Sequence, residues 1–468
     1  MLIRLFLLYC LLAQPAWAAS LPASVVQALK DAGIPQSSVS VVIQPVDKSR
    51  PLLTLNASKP VTPASTIKLL TTYAGLELLG PAYTWKTEAY LNGELKDGVL
   101  KGDLILKGYG DPYLNIERLQ SLIRTLRNTG LRDIRGDLII DQSWLADTVS
   151  DPGAFDGKPY RAYNTAPEAL LLNFKATQFS FRGDKDGKVQ IGTDPALPQL
   201  HIINQIEQRQ VPCADWKDRL DYDVKTNGKT TTVTFSGNYS IACGEKTLDL
   251  SVLDNASYVY ALFRELWMEQ GGTIHGNVKQ AETPAIAKHI ATITSPPLAD
   301  VIRLINKYSN NVMARQMLLT IGAEKQGTPT SVERSIRSIH EWLAGKNLDF
   351  PELVLENGAG LSRQESISAQ HLGDLLLSAW QSPVMPELMS SLPITAVDGT
   401  LEKRLKISDV AGQAHLKTGS LDGVRAMTGY LLDKKGRRWV VVFVVNHANA
   451  GASRVAQDAL LEWVYKRP

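Results

Sequence analysis

Cysteine and histidine are scarce, three and seven in 468 residues. The histidines form no HExxH and do not gather near the cysteines, so a zinc site lacks its ligands. An excess of one charge is missing too. Lys and Arg number 50 against 47 Asp and Glu, a formal net charge of +3 without any basic block, which argues against a nucleic-acid partner. Gly108-Tyr109-Gly110 has no third glycine and no apolar helix behind it, so it reads as a turn and not as a dinucleotide fingerprint. Past the first 18 residues, no apolar run approaches a membrane span. The longest, 439–445, has the length and β-branched content of a strand. Nothing here implies a cofactor or a metal.

The N-terminus does carry an apolar run. MLIRLFLLYCLLAQPAWAAS has one Arg, a short hydrophobic stretch and Ala16-Trp17-Ala18, the pattern of a secretory leader cut after Ala18. The run is too short for a membrane anchor. Cleavage removes Cys10 and leaves Cys213 and Cys243 in a chain bound for an oxidising compartment, where a disulfide is the expected state.

Hydrophobic periodicity divides the remainder. Residues 39–57 read as a β-hairpin around Asp47-Lys48-Ser49-Arg50. From Ser65, Ile67, Leu70, Tyr73, Ala74 and Leu78 recur at helical spacing until Gly80-Pro81 stops them. Near the other end, GVRAMTGYLLDKKGRRWVVVFVVN gives two strands. A last helix follows, with Val455, Ala459, Leu460 and Trp463 on one side, a face suited to docking on a sheet or to peripheral membrane contact. Strands from both ends suggest one antiparallel sheet. Residues 88–283 between them are rich in short strands, and Gly102-Asp103-Leu104-Ile105-Leu106 resembles Gly136-Asp137-Leu138-Ile139-Ile140, a hint of a repeated unit. Helices return from Pro297. The organisation expected is a leader (1–18), a first part (19–87), inserted β-rich domains (88–283) and a second part (284–468).

Three short strings could carry chemistry. A serine hydroxyl needs a base within hydrogen-bond reach before it can attack. Ser65 and Lys68, three apart at a helix start, share a face, and the helix end offers free N–H groups and a positive dipole. Ser309-Asn310-Asn311 breaks two apolar helices. Lys417-Thr418-Gly419-Ser420 lies at the start of a strand, where a glycine marks close approach by another backbone or a ligand. S-x-x-K, S-x-N and K-T-G in this order, each on its proper element, match penicillin-binding proteins and class A β-lactamases.

With these residues the chain resembles the class C low-molecular-mass penicillin-binding proteins, the D-alanyl-D-alanine carboxypeptidase/endopeptidases of the penicillin-binding protein 4 type. The resemblance covers the whole mature chain and includes KGYGDPYL, AVDGTL and KTGSLDGVRAMTGYL. The long interval from Lys68 to Ser309 matches that family's inserted domains. NGAGLSR departs from it, with Asn357 and Ala359 where an aspartate and a serine are expected. The fold implied is α+β and multidomain: a serine β-lactamase/transpeptidase-like domain, an antiparallel sheet flanked by helices, with large β-rich insertions. The activity implied is serine-type D,D-peptidase action on peptidoglycan stem peptides through an acyl-enzyme on Ser65, open to β-lactams.

In that reading Lys68 is the base, Ser309 relays a proton, and Asn311 holds Lys68 and the substrate amide. The N–H groups of Ser65 and Ser420 form the oxyanion hole. Lys417, Thr418 and Ser420 take the terminal carboxylate, while Gly419 leaves room for substrate. Arg363 would lie over the cleft, or simply form a loop salt bridge. Asp156 would meet the amine of a diaminopimelate side chain, or serve as a turn residue beside Gly157. Partners implied are stem peptides and β-lactam antibiotics in the periplasm, with a homodimer left open. A β-lactamase is the enzymatic alternative, lacking an obvious deacylating carboxylate. An idle peptidoglycan-binding protein is the other alternative, and it would need no nucleophile–base pair.

Overall fold

The computed structural model describes residues 20–146 and 151–467; the expected leader lies outside them. Both chain ends meet in one five-stranded antiparallel sheet. Its strands are β1 (Val39–Pro45), β2 (Leu53–Leu55), β3 (Ala414–Leu421), β4 (Val424–Leu432) and β5 (Arg438–Asn446), in the order β3-β4-β5-β1-β2. The run 439–445 is central strand β5, paired with β4 and with β1 from Val39↔Val445 to Pro45↔Trp439. It is buried on both faces, so it is apolar throughout and does not alternate.

One face carries α2 (Lys68–Leu79), α3 (Leu298–Lys307), α4 (Asn311–Gln326), α5 (Val332–Gly345) and α6 (Ala369–Gln381), packed with Val42, Val440, Val442 and Val444. The other carries α1 (Ala23–Asp31) and α7 (Arg454–Tyr465) against Val41, Ile43, Met427 and Phe443. The buried side of α7 is Ala456, Leu460, Leu461 and Val464, with Val455 exposed, a face rotated from the expected one. That apolar side is spent on the sheet. Among the described residues no helix is long and apolar enough to cross a membrane.

The intervening segment builds a seven-stranded sheet and two three-stranded ones. Its two GDL strings lie side by side in parallel, Leu104↔Leu138 through Leu106↔Ile140. A third copy, Gly276-Asn277-Val278, continues the stack with Val278↔Leu138. Asp103 accepts the Asp137 N–H and Asp137 accepts the Asn277 N–H, at 2.8 and 2.7 Å, so the repeat is a side-chain ladder. Lys288–Thr294 pairs with Lys86–Lys96 in this sheet. We propose on that ground that the inserted unit runs over 86–294, a little wider than composition suggested. Cys213 and Cys243 are bonded, with their Cα atoms 4.9 Å apart.

Candidate active site

Ser65 stands in a 3₁₀ turn, Ala64–Ile67, that leads directly into α2 at Lys68. Sequence spacing predicts an α-helix from Ser65. The tighter winding matters, because residues three apart eclipse in a 3₁₀ turn. Lys68 Nζ thereby lies 3.0 Å from Ser65 Oγ.

Two glycines pin this turn. A Cβ on Gly360 (φ +78) would lie 2.1 Å from the Ala64 carbonyl oxygen, and one on Gly419 would lie 2.8 Å from the Pro63 oxygen and 3.1 Å from the Ser65 nitrogen. The backbone that comes close at Gly419 is that of the nucleophile's own turn. Edge strand β3 can press against Ser65 only because residue 419 has no side chain.

Lys68 is fully buried. Its Nζ also donates to Asn311 Oδ1 at 2.7 Å and to the Ala359 carbonyl. Burial drives its pKa well below the ordinary lysine value; the charges of Lys417 and Arg315 push the same way and Glu365 opposes them. A neutral amine beside a serine hydroxyl is a competent proton acceptor.

Asn311 is the first residue of α4, and Asn310 caps it by accepting the Met313 N–H at 3.0 Å. This accounts for the middle residue of the S-x-N string. Ser309 takes a left-handed backbone (φ +57), and its Oγ accepts from Lys417 Nζ at 2.9 Å. Burial alone lowers Lys417 to about 7, so near neutral pH about half of it is charged, and an arriving carboxylate would favour the protonated form. Thr418 Oγ1 lies 2.9 Å from Thr400 Oγ1, and Ser420 is exposed at the strand edge. Distant parts of the chain therefore converge: Ser65, Lys68 and Asn311 form one bonded group and Ser309 with Lys417 another, near enough for the Lys417 charge to act on Lys68, with Thr418–Ser420 along the rim.

Glu365 escaped sequence reasoning. It is almost fully buried, and its Oε1 accepts the N–H groups of Glu356, Asn357 and Gly358 at 3.2, 3.0 and 3.0 Å. It thereby fixes the loop whose Ala359 carbonyl meets Lys68. The only signal in the sequence was the loss of the expected aspartate at Asn357, which supplied a reason to look for another carboxylate nearby.

Arg363 donates to the Asp422 carbonyl at 2.6 Å and lies over the Phe155 ring, 5.3 Å from its centroid. It spans from its loop to the β3–β4 turn and to the inserted segment. A cavity of about 380 Å³ lies there, lined by Phe155, Asn164, Arg315, Glu356 and Arg363 among others. Asp156 accepts from Lys158 N, Asn164 Nδ2 and Tyr163 Oη at 3.0, 2.8 and 2.7 Å. Its hydrogen bonds are all within its own loop, whose Phe155 and Asn164 line the same cavity as Arg363.

The chain is similar to known proteins. Residues 21–467 match the D-Ala-D-Ala carboxypeptidase 3 (S13) family. The D-alanyl-D-alanine carboxypeptidase of Actinomadura sp. (strain R39) is 28% identical over 452 residues, covering 92% of this chain and 82% of that protein. Penicillin binding protein 4 of Haemophilus influenzae superposes with a TM-score of 0.81 at 22% identity, covering 95% of this chain and 99% of that one. A predatory peptidoglycan endopeptidase of Bdellovibrio bacteriovorus gives 0.52 at 16% identity, covering 91% and 90%. With the family match running from Leu21 to Arg467, past the end of the closing helix, the chain belongs to the D-Ala-D-Ala carboxypeptidase 3 (S13) family.

Proposed function

We propose that Ser65 attacks the carbonyl between two D-alanines of a peptidoglycan stem peptide, making this chain a serine D,D-peptidase that removes terminal D-Ala and opens D,D-cross-links. The observation that carries this reading is the buried Lys68 amine 3.0 Å from Ser65 Oγ. Lys68 takes the hydroxyl proton as the Oγ–carbonyl bond forms, and Asn311 holds the amine in line. The oxyanion is received by the N–H groups of Ser65 and Ser420. Ser309, bonded to Lys417 at 2.9 Å, relays to the leaving amine the proton that Lys68 took, so both side chains return to their starting states. Water then attacks the acyl-enzyme and returns Ser65.

Lys417, Thr418 and Ser420 bind the terminal carboxylate along the edge of β3, to which an extended peptide adds as a further strand. β-Lactams offer a carboxylate and a strained amide in the same relation, and acylate Ser65. Arg363, at the mouth, steers a second carboxylate. Asp156 with Asn164 faces the diaminopimelate side of the stem. The site works outside the cytoplasm, in the periplasm, after removal of the leader at Ala18; the Cys213–Cys243 bond suits that compartment.

Mass spectrometry of products from purified cross-linked muropeptides tests this, with wild type beside Ser65→Ala. Wild type releases D-alanine and splits dimers; Ser65→Ala does neither and is not labelled by fluorescent penicillin. Labelling that survives Ser65→Ala would assign the nucleophile elsewhere.

A further inference from the structure

Behind the rim of the groove, on the α7 side of β3, lies a second cavity of about 430 Å³. Thr418 and Ser420 form its near wall. Lys403, Arg404, Arg425 and Arg454 also line it, and none of its lining residues is acidic. Thr418 and Ser420 thus belong both to the groove and to this cavity.

The charge is not cancelled locally. Arg404 is the buried member, held by Asp458 and by Gln457 Oε1 at 3.1 Å. Asp458 is 4.0 Å from Arg454 Nε, at the edge of ion pairing, and the Arg454 side chain is 59% exposed. Arg425 pairs across the strands with Ser420 and donates to the carbonyls of Val424 and Leu421, at 3.1 and 3.4 Å, with no carboxylate bonded to it among the described residues. A fixed guanidinium held by neutral carbonyls keeps its full charge for an arriving anion.

A D,D-cross-link differs from a free stem terminus in one relevant way: its leaving amine belongs to a second stem peptide that carries free carboxylates of its own. On the reading of the groove given above, the leaving residue sits at Thr418 and Ser420. Whatever follows it passes over the strand edge beside Thr400, to the cavity. We propose that this cavity is a subsite for the second stem peptide of a cross-linked substrate, with Lys403, Arg425 and Arg454 taking its carboxylates. It would serve scission of cross-links and leave removal of a terminal D-Ala untouched. The inference rests on the D,D-peptidase reading, and its test separates the two.

Initial rates on a monomeric pentapeptide and on a cross-linked muropeptide dimer are compared for wild type and Lys403→Glu/Arg454→Glu, both positions being at the surface. The double variant should raise KM for the dimer about tenfold, the scale of one lost charge-assisted hydrogen bond. The pentapeptide kcat/KM and the rate of penicillin acylation should stay within about twofold. Arg425→Gln should act in the same direction, with penicillin acylation again reporting an intact groove. Amidating the acceptor stem's carboxylates should raise the wild-type KM and abolish the difference between wild type and variants. An unchanged dimer KM in the double variant, or equal losses on both substrates, would overturn the subsite. So would a wild type that trims pentapeptide and leaves dimers intact. A wild type that is acylated by penicillin yet hydrolyses neither substrate would overturn the D,D-peptidase reading itself.

Discussion

The five-stranded unit and the inserted sheet bury charge to opposite ends. In the insert, Asp141 is fully buried; burial alone would raise its pKa, but Ser143, Thr283 and Lys107 together hold it well below the usual carboxylate range. Five donors converge on it: the N–H and Oγ of Ser143 at 2.9 and 2.6 Å, those of Thr283 at 2.8 and 2.5 Å, and Lys107 at 3.0 Å. In the five-stranded unit Lys68 and Lys417 are just as buried, and neither has a carboxylate within bonding distance among the described residues. Their partners are hydroxyls, an amide oxygen and backbone carbonyls. A full set of opposite partners keeps an ion charged and ties two segments together, whereas withholding them yields amines that give up their protons more readily.

Exchanging one residue in each region should break the comparison most sharply. Lys68→Met should slow acylation by fluorescent penicillin about 10²–10⁴-fold, the usual worth of a positioned base. Asp141→Asn should leave that rate within about twofold. A slow Asp141→Asn enzyme would mean that the two regions are not separable.

Glu365→Gln should give a smaller loss, about tenfold, with a signature of its own. The Glu365 charge raises the Lys68 pKa. Removing it lets the amine lose its proton at lower pH, so the acidic limb of the acylation profile should move down. A loss of rate with that limb unmoved would reduce Glu365 to a support for the 356–359 loop.

In stability the order reverses. Asp141→Asn should cost about 2 kcal/mol and lower Tm by several degrees, because a charged acceptor is lost from buried donors. At Lys417 burial disfavours the ionised form instead. Its folded pKa of about 7 lies below the unfolded value, so between pH 7 and about 10 the unfolded chain binds a proton that the folded chain lacks, and stability rises with pH. Lys417→Met should remove that contribution, at most about 1.4 kcal/mol per pH unit. Urea titrations at pH 7 and pH 9 give the difference, and equal slopes for both proteins would mean that Lys417 keeps its proton when folded.

Much of this was legible beforehand, and the reasons are local. The strand 438–446 announces itself through β-branched content, and S-x-x-K, S-x-N and K-T-G depend on fixed spacings that a sequence displays. The third GDL-like string went unread because Gly276-Asn277-Val278 keeps the glycine and the side-chain acceptor pattern but not the letters. The exposed side of α7 was misjudged because Val455 and Ala456 are both apolar and adjacent, and only the sheet decides which one is covered. Glu365 was invisible for a deeper reason: a glutamate in a polar loop looks solvated until the fold closes over it. Gly419 reads in the sequence as a place of close approach by a backbone or a ligand, and the 63–65 turn is a backbone that comes that close.

The sheet's topology also governs when activity can first exist. The hydroxyl at 65 leaves the ribosome hundreds of residues before the strand that must flank it, and β1 gains its neighbour β5 only from the last stretch of the polypeptide. A chain truncated or stalled before residue 414 would carry the reactive serine but neither the rim nor the strands that back it. The groove is therefore a property of the whole polypeptide and of no N-terminal portion of it.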